Sequence, residues 1–176
     1  MRLGPQSVAV ITGAASGIGR ALALEPSRRG TRLALIDIDR AGLDAVAAAS
    51  SSPGRCSVHV CDLTDPEAVQ RVSNAIVADQ GAVHLLINNA GISVAGAVED
   101  LTLADFQRAM AVNYFGVVHG CQAFLPHLRA AARRGETAAV CNVSAVLRCS
   151  RCPQRRPCPP ASTACAATVA RQSEDR

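Results

Sequence analysis

The chain has 176 residues, enough for one domain with a real core and too few for two of ordinary size. Its 49% apolar content excludes a disordered protein, and no run approaches the roughly 18 apolar residues of a membrane span. The net charge of +4 is concentrated near Arg148, Arg151, Arg155 and Arg156 without interleaved aromatics, a pattern that argues against a nucleic-acid partner.

Aromatics are only 2%, so the core must be built from Ala, Val, Leu and Ile. Residues 7–12 form a short apolar run that closes on a glycine-rich turn, the pattern of a buried strand. Helical spacing follows over 18–29. Pro26 falls inside it, removing a hydrogen bond at a cost of about 3 kcal/mol unless the helix kinks or ends early. Residues 31–37 read as a second strand, 43–49 as a helix closed by the loop SSSPGR, and 56–62 as a third strand. Asp65 ahead of Pro66 and Glu67 starts a helix that runs to about residue 80. A fourth strand covers 83–88. Thr102 and Asp105 have the spacing of a capping box, opening a long helix over 102–132. The fifth strand is 137–143. Strands alternating with helices predict an α/β domain, a parallel sheet with helices on both faces and right-handed crossovers.

After Leu147 the pattern changes. Residues 148–176 hold four prolines and four cysteines and no sustained periodicity, so they read as an irregular, disordered tail with no sixth strand. The chain thus divides into a domain over 1–147 and a tail over 148–176. Cys56, Cys61, Cys121 and Cys141 lie singly in apolar segments and read as buried free thiols. Cys149, Cys152, Cys158 and Cys165 contain only one paired spacing, and no metal site is expected of them. The N-terminus has no apolar stretch leading to a small-residue cleavage site, so the expected location is cytoplasmic.

The chemistry sits in the first turn. Gly13, Gly17 and Gly19, with Ser16 and Ile18 between them, join a strand to a helix; there a pyrophosphate can approach the backbone and meet the helix N-terminus. Asp37 closes the second strand 24 residues after Gly13, where a carboxylate accepts both ribose hydroxyls of NAD and repels a 2′-phosphate. NAD is therefore expected over NADP.

TGAASGIG resembles the Thr-Gly-x-x-x-Gly-x-Gly signature of the short-chain dehydrogenase/reductase family. CDLTD, with Asp62 and Leu63, resembles that family's adenine-contacting loop. NNAG, carrying Asn89, Ala90 and Gly91, resembles its sheet-stabilising turn beside the cofactor, and VNYFG the segment with its catalytic asparagine, here Asn113. The resemblance covers about residues 7–147. It implies a Rossmann-like doubly wound parallel sheet of strand order 3-2-1-4-5 without the family's C-terminal strands and helices. It also implies a nicotinamide dinucleotide, hydride transfer between an alcohol and a carbonyl, and assembly through a fourth and a fifth helix, of which only the 102–132 helix is present, so that a homo-oligomer through that helix or aggregation is expected in place of the normal tetramer. Asp62 could equally cap the turn that follows it. Tyr114 is expected to pack in the core.

Two departures bear on catalysis. NVSA puts Ser144 at the first of the family's two serines and Ala145 at the catalytic one. In an extended strand Ser144 would point to the opposite side. The family's Tyr-x-x-x-Lys would fall near Cys158 and Ser162, and the chain has one tyrosine and no lysine. The tail is accordingly read as a shifted frame or an alternative exon. The chain is then an oxidoreductase by descent without its proton donor, or a nucleotide-binding partner of an intact relative, or a product without function. An uncovered edge at 138–143 and an uncovered face at 85–87 would favour aggregation. The residues GISVAG can line one side of a substrate pocket whose other walls are missing.

Overall fold

The computed structural model describes residues 3–51, 53–94, 100–145 and 165–170. In chain order its elements are β1 (Val8–Thr12), α1 (Gly17–Ser27), β2 (Arg32–Asp37), α2 (Arg40–Ala49), a short 3-10 turn (Pro53–Arg55), β3 (Cys56–Val60), α3 (Pro66–Gln80) and β4 (Leu85–Asn88). There follow α4 (Leu103–Met110), a π turn (Ala111–Phe115), α5 (Gly116–Arg133), β5 (Ala139–Ala145) and β6 (Cys165–Ala170). The sheet runs β3-β2-β1-β4-β5-β6. Its first five strands are parallel, in the expected order 3-2-1-4-5.

All five residues of β1 are buried, and the strand divides its side chains between two cores. Val10 packs with Ala34, Ile36 and Leu86 under Val69 and Ile76 of α3 and Phe124 and Leu128 of α5. Ala9 and Ile11 pack with Leu33 and Leu35 under Ala23 of α1 and Leu43 and Val46 of α2. Such two-faced burial explains why these strands read as continuous apolar runs. The helix starts follow their caps. Asp65 Oδ1 accepts from the Glu67 and Ala68 amides at 2.9 and 3.0 Å, and Thr102 and Asp105 form a reciprocal capping box. Asp39 caps α2, so that helix starts at Arg40, ahead of the expected residue 43.

Pro26 is accommodated by an early stop. The helix ends at Ser27, and the Pro26 carbonyl accepts from the amides of Arg29 and Thr31.

Five expectations are corrected. The 102–132 helix is interrupted by the π turn, and α5 carries Pro126 within it. Tyr114, expected in the core, is 55% exposed, on the same face of the helix as the exposed Phe106 and Met110. The tail does supply a sixth strand: Cys165–Ala170 pairs antiparallel with β5, with Ala145 opposite Cys165 and Val140 opposite Ala170. The segment CAATVA lacks proline and charge, and the open N–H and C=O groups of β5 are a template for it. Hence 138–143 is not a bare edge. Leu85 and Ile87 also keep their cover, at 9% and 5% exposure, within the core of Ile11 and Leu35. Cys149, Cys152 and Cys158, of which no metal site is expected, and the Tyr-x-x-x-Lys position at Cys158 and Ser162, lie outside the described residues.

The starts of the central strands are tied by His84, which is 8% exposed. Its Nδ1 accepts the Val8 amide at 3.0 Å, so its proton is on Nε2, which donates to Glu136 Oε2 at 2.9 Å. Arg134 holds that carboxylate through two further bonds. His84→Ala leaves the buried Val8 amide unpaired and is expected to lower stability by about 2 kcal/mol in urea denaturation.

Candidate functional site

The C-terminal ends of β1, β2 and β4 meet at one place, and a small set of backbone contacts builds it. Thr12 Oγ1 accepts the amides of Asn89 and Ala90 at 3.0 and 3.1 Å. Asn89 Nδ2 donates back to the carbonyls of Thr12 and Gly13 at 3.1 and 3.2 Å. The turn after β1 is thereby stapled to the end of β4. Gly13 has φ +66°, and a Cβ there would stand 2.7 Å from Ala90 Cα. A Cβ on Gly19 would run into the Gly13 carbonyl. These two glycines let turn, helix and strand approach one another.

Gly17 differs from both. It has φ +52°, and nothing lies within 4 Å of the place its Cβ would take. The N-terminus of α1 behind it has no side-chain cap, since Ser16 makes no such bond and the first turn contains no acidic residue. Ser16 and Ile18 are exposed beside it. The result is a backbone cradle open to solvent at the positive end of a helix, suited to an anion.

Asp37 stands next to this cradle. Its Oδ2 accepts the Ala15 amide at 3.0 Å and its Oδ1 the Asp39 amide at 3.1 Å. Asp62 accepts from both the amide and the hydroxyl of Thr64, at 2.9 and 2.8 Å, and so closes the turn after β3. Leu63 beside it is buried, and its carbonyl accepts from His119 Nδ1 at 2.8 Å, which ties the turn to α5.

Asn113 lies on the π turn and meets one partner twice. Its Nδ2 donates to the Ile92 carbonyl at 2.9 Å, and its Oδ1 accepts the Ile92 amide at 2.8 Å. That Oδ1 would also be 3.3 Å from a Cβ on Gly91. The extra residue of a π turn thus aims an asparagine at the segment leaving β4. Ser144 is exposed on β5, two residues past Asn142, which pairs in register with Asn88 at the end of β4. The structure therefore brings Gly13, Ser16, Gly17, Ile18, Gly19, Asp37, Asn89, Ala90 and Gly91 to one end of the sheet. It sets Asp62 and Leu63 beyond β3 and Ser144 beyond β4 at that same end.

Two residues of the quoted motifs, Thr12 and Asn88, have partners that the sequence did not show. Thr12 is the hub of the turn, and its signal was the threonine opening the glycine motif. Asn88 is buried, with Nδ2 donating to Asn142 Oδ1 at 2.9 Å and to Cys121 Sγ at 3.5 Å. Gly120 admits it, since a Cβ there would lie 2.6 Å from Asn88 Oδ1. Burial pushes the Cys121 thiol above its ordinary range, partly offset by the Asn88 bond. Cys61 is raised by burial and by Asp62 and Asp65. Both shifts lower the thiolate fraction of these cysteines. Among the described residues no cluster of His, Cys, Asp or Glu can hold a metal ion, and no helix is long and apolar enough to cross a membrane.

Residues 7–154 match the model of the short chain dehydrogenase family. A protein of Mycobacterium tuberculosis described as the oxidoreductase SadH is 45% identical over 122 residues, covering 69% of this chain and 44% of its own. The D-threitol dehydrogenase of Mycolicibacterium smegmatis is 37% identical over 117 residues, covering 66% and 45%. Among solved structures, the 3-ketoacyl-(acyl-carrier-protein) reductase of Brucella melitensis, complexed with NADH, superposes with a TM-score of 0.75 at 28% identity over 79% of this chain and 57% of its own. A short chain dehydrogenase/reductase of Burkholderia phymatum, in complex with NAD, gives 0.71 at 34% identity over 80% and 48%. The chain spans about half the length of the relatives it matches.

Proposed function

The chain belongs to the short-chain dehydrogenase family, and on that premise we propose that it holds a nicotinamide dinucleotide, NAD in preference to NADP, across the C-terminal ends of β1, β2 and β4. The observation that carries this reading is the open cradle at Gly17, uncapped by Ser16 and adjacent to the Asp37 carboxylate. The backbone from Gly13 to Gly19 would take the pyrophosphate, with Ser16 and Ile18 at its rim. Asp37 would accept the adenosine ribose hydroxyls, Asp62 and Leu63 would border the adenine, and Asn89, Ala90 and Gly91 would line the way to the nicotinamide. The two solved relatives named with NADH and NAD support the choice of ligand.

Calorimetry tests it. NAD should bind tighter than NADP by about ten-fold, since the carboxylate gains charge-assisted bonds from the ribose and repels a phosphate. Asp37→Ala should weaken NAD by about ten-fold or more and narrow that gap. Tighter binding of NADP to the unaltered chain would overturn the assignment.

When bound, the dinucleotide would accept a hydride from an alcohol carbon as NAD or give one to a carbonyl carbon as NADH. The chain's own residues cover part of that chemistry. Asn113 fixes the backbone at Ile92, and Ser144 offers a hydroxyl at the same end of the sheet. Ala145 stands where the family's orienting serine would be, and no lysine occurs among the 176 residues. The reading is of a family oxidoreductase whose present chain binds nucleotide without turnover.

Self-association through 102–132 belongs to the same proposal. Leu103, Phe106, Met110 and Tyr114 recur every three or four residues and are all exposed, Leu103 at 73%. A separate groove of about 470 Å³ lies between α5 and β5, walled by Leu125, Leu128, Ala132 and Val140. An apolar helix face of this kind marks an interface. Light scattering behind size exclusion should show the Phe106→Glu, Met110→Glu double variant shifted toward monomer. An unchanged mass would count against this interface.

A further inference from the structure

Asp39 caps α2 by accepting the Gly42 amide on Oδ1 at 3.1 Å, which places Gly42 in the first turn of a helix. Glycine there costs about 0.5–1 kcal/mol relative to alanine. An alanine does not fit without movement. Its Cβ would stand 2.5 Å from Asp39 Oδ2, 2.8 Å from Ala15 Cβ and 3.1 Å from the Ala15 carbonyl oxygen. The Asp39 oxygen ends a side chain that can turn aside. Ala15 gives way only by disturbing the glycine turn and the bond its amide donates to Asp37 Oδ2 at 3.0 Å. The other oxygen of Asp37 accepts the Asp39 amide at 3.1 Å. The four residues close a ring. Gly42 backs Ala15, Ala15 and Asp39 each hold one oxygen of Asp37, and the Asp39 side chain returns to Gly42.

We infer that Gly42 is a positioning residue for Asp37, and that the close approach of α2 to the glycine turn sets the nucleotide preference by fixing where that carboxylate's free lone pairs point. The inference rests on the dinucleotide reading above. A methyl at position 42 pushes Ala15 back, lengthens its bond to Asp37 and lets the carboxylate turn away from a ribose.

The test is calorimetric titration of NAD and of NADP into the unaltered chain, Gly42→Ala, and the double variant Ala15→Gly, Gly42→Ala, with thermal melts of each. Gly42→Ala should weaken NAD by about ten-fold, the loss of one charge-assisted bond, while NADP changes by no more than about two-fold. The double variant removes the 2.8 Å contact and should return the NAD to NADP ratio toward its original value. It also carries the comparison if the single variant fails to fold. Equal loss of both nucleotides, an unchanged ratio, or a double variant that restores nothing would each overturn the inference. An unaltered chain that binds neither nucleotide would instead remove the dinucleotide reading, and this inference with it.

Discussion

Gly19→Val is expected to abolish dinucleotide binding and to lower stability by about 3 kcal/mol or more. A Cβ at this position would meet the Gly13 carbonyl and stand 2.6 Å from Asn89 Nδ2. The carbonyl is backbone, and Asn89 is fixed by its bonds to Thr12 and Gly13, so neither can move aside cheaply. Either α1 withdraws from the turn or the turn separates from β4. Both routes disturb a core with a net stability of about 5–15 kcal/mol. Gly17→Ala provides the contrast. Its Cβ meets nothing, so the strain of a positive φ, about 1–2 kcal/mol, is the whole stability cost. Its methyl nevertheless enters the open cradle, so it should weaken NAD far more than it destabilises the fold. Urea denaturation and calorimetry on the two variants separate the roles. A Gly19→Val protein as stable as the original would show that the turn can open without penalty.

Most of the sheet was legible because its strands are buried on both faces and read as continuous apolar runs with glycine or aspartate at their ends. Val8–Thr12 and Leu85–Asn88 are of this kind. Caps were legible because they are local, as Asp65 and the Thr102 to Asp105 pair show. Contacts across the chain were not. Asn113 could be marked as odd within a helix, but its partner Ile92 lies 21 positions away, and nothing in the side-chain pattern announces the single added residue of a π turn. The sixth strand was missed for another reason. CAATVA has neither alternation nor a strong β signal over most of its length, and its pairing is supplied by the open edge of β5. The candidate site divides in the same way. Its glycines and Asp37 were readable from spacing, whereas Thr12 and Asn88 act through partners contributed by other strands.

The 176-residue chain, saturated with NAD, should oxidise no alcohol at a measurable rate, and with NADH it should reduce no ketone. General acid–base catalysis typically contributes 10²–10⁴-fold, and the donor that the family resemblance implies has no counterpart here. The one tyrosine of the chain, Tyr114, lies in the π turn, mostly exposed, with its ring edge-on to Phe115 at 5.2 Å. An ordinary tyrosine, with a pKa near 10, gives up its proton poorly at neutral pH without a neighbouring cation, and no lysine is present to serve. Ala145 removes the group that would orient the reacting oxygen. Since the three losses act on one step, Ala145→Ser alone should restore nothing. Absorbance assays of NADH across a panel of small carbonyls, run beside calorimetry on the same preparation, keep binding apart from chemistry. Turnover that disappears in Tyr114→Phe would show that Tyr114 reaches the reacting oxygen after all. Binding without turnover, unchanged by Tyr114→Phe, is the result that follows from the proposed nucleotide cradle beside a proton-transfer site without tyrosine, lysine and orienting serine.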